Sequence, residues 1–176
     1  GVTLVALTLS RLLSRGAKVV LVDLAMASPT LAAVSTDPSS PGLTELMQGS
    51  ASFGEIITKD RLSSVHIVGA GREPSQRQLL QLPRINLAVD ALSRAYDYVV
   101  LDAGTATDLP TNVIATQAHA VIIPDPAITS AARNVMREQL LASGFEGVSI
   151  LDTPLKAMDL GASGERGADL AHAHQP

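Results

Sequence analysis

Three residues of this chain, Thr3, Asp23 and Asp102, have the types and the order from which a magnesium–phosphate site is built. Thr3 stands two residues after Gly1 at the head of the apolar run GVTLVALTLS. A hydroxyl there can ligate magnesium while the first free N–H groups of a helix face phosphate oxygens. Asp23 ends the run KVVLVD, and Asp102 ends YVVLD. A hard divalent cation is usually held by one or two carboxylates, a hydroxyl, waters and phosphate oxygens. Orienting water or accepting a proton is the other role open to either acid. One position is discordant: a phosphate loop needs lysine between its last glycine and the threonine, and this chain has Val2. Each residue also has a purely structural reading. Strand-ending aspartates cap the next turn, and a threonine before an apolar run is an N-cap.

The elements that must position these residues alternate. Apolar residues at Val5, Leu9, Leu12 and Leu13 predict one face of a helix over residues 3–15, with Gly16 as its C-terminal cap. KVVLVD (18–23), VHIVGAG (65–71), YVVLD (98–102), AVIIP (120–124) and VSIL (148–151) read as strands, the first and third as buried parallel strands. A loop rich in Ser, Pro and Asp covers residues 35–42, and short helices are predicted at 43–48 and 52–57. Pro83 suits the first position of a helix reaching Ala95, with Ile85, Val89 and Leu92 inward. Further helices are predicted over 111–118 and 129–143. The pattern is that of an α/β protein: a doubly wound, mostly parallel sheet flanked by helices, with ligands at the carboxyl ends of the strands. Thr3, Asp23 and Asp102 all fall at that edge. The first strand and most of the phosphate loop are expected upstream of Gly1, next to the strands that end in Asp23 and Asp102. Residues 1–154 are read as one domain and 155–176, which turn to Gly, Ala and charged residues, as a loose tail.

Composition narrows the function classes. Of 176 residues 46% are apolar, with two Phe, two Tyr and no Trp, so the core is aliphatic. The absence of cysteine excludes a disulfide framework, a thiolate metal site and a cysteine nucleophile. A net charge of −4, with lysine only at 18, 59 and 156, argues against a nucleic-acid footprint. No segment has the length of a membrane span and no signal peptide is legible, which points to a soluble cytosolic domain.

The order G-x-T on a helix, an acid-ended strand, then YDYVVLD resembles the deviant-loop P-loop ATPases of the partition and cell-division group. It is more similar to their bacterial tyrosine-kinase branch, the cytosolic domain of the polysaccharide co-polymerases that control capsule and exopolysaccharide chain length and export. GVTLVALTLSRLLSRGAKVVLVDLAMASPTL matches that branch's loop helix and following strand, and AYDYVVLDAG its third motif. PGLTELMQGSASFGEII and VHIVGAGREPSQRQLLQLPRI match its middle segments, from which partition ATPases diverge. The resemblance implies a P-loop NTPase-like fold, ATP and magnesium as cofactors, Gly1, Val2 and Thr3 at the nucleotide, and Thr3, Asp23 and Asp102 at the metal. It also implies a homo-oligomer, a transmembrane co-polymerase region upstream or in a partner, the polysaccharide export machinery as further partner, no nucleic acid, and a place at the cytoplasmic face of the inner membrane.

Several positions depart from that pattern. Val2 replaces the loop lysine, and Ala25 and Ala27 stand where the second motif has its second acid and its arginine. Ala103-Gly104-Thr105 follows the third-motif acid in place of T-P-P. The only tyrosines, Tyr96 and Tyr98, flank the third strand, whereas the kinase branch phosphorylates a C-terminal tyrosine cluster. A charge-assisted phosphate contact is worth about 1.5–3 kcal/mol, and a lost transition-state donor costs roughly a hundred- to a thousandfold in rate. The expectation is a degenerate kinase-like domain with weak or vestigial ATP and magnesium binding and Asp23 as a vestigial catalytic acid. The alternatives are an active ATPase or tyrosine autokinase of the same family, or a partition- or pilus-positioning ATPase.

Other residues read more plainly. His172 and His174 form an H-x-H pair without a further ligand cluster. His66 and His119 read as structural, Asp125 as part of a helix-start turn, and Arg133 and Arg137 as a solvated helix face. No Ser/His/Asp grouping has hydrolase spacing.

Overall fold

A computed structural model describes residues 2–25, 30–72, 83–104, 118–123 and 125–150. The predicted helix over 111–118 lies, but for Ala118, outside them, as do Gly1, the histidine pair and the tail. Helix α1 spans Val2–Leu13 and strand β1 Val19–Asp23. A 3-10 turn at Leu31–Val34 leads to α2 (Leu43–Gln48), α3 (Phe53–Ile56), β2 (Ile57–Lys59) and β3 (His66–Val68). Then come α4 (Arg84–Ala95), β4 (Tyr98–Asp102), β5 (His119–Ile122), α5 (Ser130–Ala142) and β6 (Gly147–Ile150).

The main sheet has the order β2-β3-β1-β4, with β1 parallel to both β3 and β4 and only β2 antiparallel. β1 is buried at all five positions, as a Val/Leu run between two neighbours and two helical layers should be. Alternate residues of its pleat feed two cores. Leu21 and Ile67 pack with Ala6 and Leu7 of α1 on one face. Val20, Val22 and Val68 pack with Ile85, Ala88 and Leu92 of α4 on the other. β5 and β6 form a parallel pair of their own, and Ile122 and Val148 join the second core. Among the described residues no ladder joins β4 to β5.

Four expectations are corrected. The strand ending in Asp23 has β3 and β4 on its two sides, so it cannot adjoin a further strand; of the two acid-ended strands only β4 lies at an edge of the sheet among the described residues. Accordingly β4 is not fully buried, with Val99, Val100 and Leu101 half-buried and Tyr98 exposed. The face Val5–Leu9–Leu12 of α1 is not the packed one: Leu9 is 43% and Leu12 53% exposed, while Ala6, Leu7 and Ser10 are buried. A helix apolar nearly all round leaves its rotation to specific contacts, here the Thr3 and Arg11 bonds given below. Lastly, the helix predicted over 52–57 ends at Ile56, and Ile57–Lys59 pairs with β3 as an edge strand. Pro83 precedes its helix by one residue, already at φ −56°.

Candidate nucleotide and metal site

The parallel register of β1 and β4 sets the site. Asp23 and Asp102 are paired residues at the last rung of that ladder, so their carboxylates leave neighbouring strands at the same edge. The Leu24 N–H donates to the Asp102 carbonyl at 2.9 Å and carries the pairing one step further. Above this rung begins α1, whose Thr3 Oγ1 donates to Asp102 Oδ2 at 2.6 Å. That bond fixes the start of the helix over the sheet, and its rotation follows: Thr3, Leu7 and Ser10 share the inward face.

Each acid also holds its own turn. Asp23 Oδ1 accepts from the Ala25 N–H at 3.0 Å, and Oδ2 from the Leu31 N–H at 3.4 Å. Asp102 Oδ1 accepts from the Gly104 N–H at 3.1 Å. Gly104 has φ +65°, and a Cβ there would lie 3.0 Å from the Ala25 Cβ, so the two turns touch. The capping reading is therefore realised, and it leaves the acids' proximity unexplained.

Both carboxylates are 1% exposed. Burial pushes Asp23 up to about 6, the Ala25 and Leu31 hydrogen bonds oppose that, and the charge of Asp102 adds to it. Two buried carboxylates side by side, with no salt bridge to either among the described residues, form an electrostatic sink for a cation. With the hydroxyl they make a set of hard oxygen donors, and no group of three or more His, Cys, Asp or Glu side chains occurs among the described residues. This set fits magnesium, which keeps waters and phosphate oxygens for its remaining positions. When bound, the ion would neutralise phosphate charge. The phosphate side fits less well, since Val2 supplies a hydrocarbon where the loop cation belongs.

Beside this edge lies a junction the sequence reading missed. The buried Glu45 accepts from the Arg72 N–H at 2.9 Å, from the Gly42 N–H at 3.4 Å and from the Thr44 hydroxyl. It plugs the start of α2 into the loop after β3, where Gly71 takes φ +108°. The signal was the capping spacing in PGLTE. Elsewhere Asp125 caps its own turn through the Ala127 N–H, and His119 Nε2 meets Ser149 Oγ at 2.9 Å. Arg133 donates to the Ile128 carbonyl, and Arg137 lies 3.5 Å from Glu138.

No protein-family model and no curated protein matches this chain. Solved structures do. The kinase domain of the Escherichia coli tyrosine kinase ETK superimposes with a TM-score of 0.71 at 20% identity, over 88% of this chain and 63% of that one. The VpsO kinase domain gives 0.68 at 21% identity, over 86% of this chain and 77% of that one. The septum site-determining protein MinD from Pyrococcus horikoshii, complexed with Mg-ADP, gives 0.66 at 16% identity, over 91% and 70%. At such identities the likeness establishes a shared fold, the P-loop NTPase-like α/β architecture of bacterial tyrosine kinase domains and MinD.

Proposed function

We propose that this chain is the kinase-like cytosolic domain of an exopolysaccharide co-polymerase, retaining a magnesium and nucleotide pocket while contributing little or no phosphoryl transfer. The convergence of Thr3, Asp23 and Asp102 on one sheet edge carries the reading. A magnesium ion held there would draw a nucleotide's phosphates to the start of α1, where helix N–H groups and the macrodipole remain as phosphate donors. The lysine that Val2 replaces in the family's pattern would have been a stronger contact than these. Tyr96 and Tyr98 sit at the opposite edge, where β1 and β4 begin, far from a role as phosphate acceptors at this pocket. The edge of β4 that has no partner among the described residues, beside the start of α1, is where a strand running into the phosphate loop would pair. In this reading the domain serves assembly: homo-oligomer contacts at the inner face of the membrane, alongside a transmembrane co-polymerase region and the export machinery.

Calorimetry of the full-length protein with Mg-ATP and Mg-ADP tests this, with Val2→Lys beside it. The expected result is weak binding, strengthened at least tenfold by the lysine, as a gain of about 1.5–3 kcal/mol implies, and no tyrosine phosphorylation in either protein. Tight binding with turnover by the unaltered protein would favour the working ATPase or autokinase, a reading that the likeness to an Mg-ADP-bound relative keeps in view.

A further inference from the structure

The N-terminal edge of the sheet, opposite the acid pair, carries a second cluster. His66 Nδ1 lies 2.5 Å from Tyr96 Oη, and the two rings meet edge to face, centroids 5.4 Å apart at 79°. Tyr96 is the residue that ends α4, its N–H still bonded to the Leu92 carbonyl. The contact thus ties β3 to the last turn of that helix. Lys59 is the cross-strand partner of His66, and Lys18 lies two residues before Val20, its partner on β1. Paired residues and those two apart share a face of the sheet. Asp97 holds the Lys18 N–H at 2.8 Å through its carboxylate.

We propose that the His66–Tyr96 contact is an acid-sensitive clasp between the central sheet and the C-terminal turn of α4, closed while the imidazole is neutral and loosened when it takes up a proton. In the neutral ring with its proton on Nε2, the tyrosine hydroxyl donates to the Nδ1 lone pair. Protonation puts a hydrogen on Nδ1, so the phenol must turn its own hydrogen away and accept. The new charge then sits beside Lys59 and Lys18, with Asp97, bonded to the Lys18 N–H, the acid held nearest them by a contact among the described residues. Burial and those two lysines hold the imidazole below its ordinary 6.5. Burial also holds the Tyr96 phenol above its ordinary value, so it stays protonated. The sign follows. An opened clasp takes up a proton near 6.5 and the closed one only lower, so the closed state is fully stable above 6.5 and loses stability as pH falls below it. A helix C-terminus favours cations, and that effect pulls the other way.

Amide hydrogen exchange on the full-length protein at pH 7.5 and 5.5, corrected for intrinsic rates, decides between them. Protection of the Tyr96 amide is expected to fall at the lower pH, the direction that a depressed imidazole requires, while that of Ser143, at the end of α5, holds. In His66→Gln the Tyr96 response disappears, and in Lys59→Gln it shrinks as the imidazole titrates higher. Protection at Tyr96 that is unchanged or greater at pH 5.5, or an equal fall in His66→Gln, overturns the clasp. Lys59→Gln keeps the test open if the histidine variant does not fold.

Discussion

Thr3 and Asp102, ninety-nine positions apart, are joined by a 2.6 Å hydrogen bond between hydroxyl and carboxylate. The bond locks the first turn of α1 onto the end of β4. In the proposed function the same hydroxyl serves the metal. Thr3→Val should therefore lower unfolding free energy by about 1 kcal/mol and also reduce the thermal shift produced by magnesium. Urea titration and calorimetric scans with and without the ion measure the two effects separately. A stability loss with an unchanged magnesium shift would leave Thr3 a purely structural residue.

Asp23 and Asp102 repel one another across a ladder rung. Asp23→Asn keeps an oxygen for the Ala25 N–H, gives up the longer bond from the Leu31 N–H, and removes one of the two charges. In metal-free protein at neutral pH this substitution should raise stability by about 1 kcal/mol. Added magnesium should close that gap by stabilising the unaltered protein alone. A destabilised variant in metal-free buffer would contradict the like-charge account.

Gly71 has no room for a side chain. A Cβ there would lie 1.9 Å from Thr44 Oγ1 and 2.6 Å from Glu45 Oε2, at φ +108°. Gly71→Ala should cost about 3 kcal/mol or more, combining backbone strain with a clash against buried groups. Gly54→Ala, where nothing lies within 4 Å of the added carbon, is the control and should be neutral or stabilising. Denaturant midpoints of the two variants give the comparison directly.

Arg11 reaches from α1 to Asp60 with two bonds, Nε to Oδ2 at 2.8 Å and Nη2 to Oδ1 at 2.9 Å. Burial alone would raise the Asp60 carboxyl, but the hydrogen bonds from Arg11 and Ser63 outweigh it and hold it low. A depressed carboxyl contributes stability that is whole above about 3.9 and is lost as pH falls through the lower folded value. Arg11→Met strands a carboxylate whose side chain is fully covered, at a cost of about 3 kcal/mol at pH 7. The deficit relative to the unaltered protein should shrink on acidification to pH 3, where Asp60 can take up a proton. A deficit independent of pH would mean that packing, not charge, holds the helix.

The sequence made much of the scaffold legible because a parallel sheet writes itself in long β-branched runs. KVVLVD and YVVLD gave both site acids and both strand ends. The ladder that makes Asp23 and Asp102 neighbours is a tertiary pairing, and no periodicity in either run records it. The rotation of α1 was misjudged for a related reason: with apolar residues on most of its surface, only the partners of Thr3 and Arg11 select a face. β2 escaped notice because Ile57-Thr58-Lys59 is three residues long and follows a helical signal without a break. Glu45 reads as a helix-start acid, and its bond to the Arg72 N–H spans twenty-seven positions, beyond any local pattern.

The chain has no tryptophan, and its two tyrosines both flank the start of β4. Its tyrosine fluorescence therefore originates wholly at the end of the sheet remote from the acid pair. Emission from the imidazole-bonded Tyr96 reports on that corner, while magnesium or nucleotide arriving at the acid pair meets no tyrosine there. Binding there has to be followed by heat, by thermal shift or by a labelled ligand.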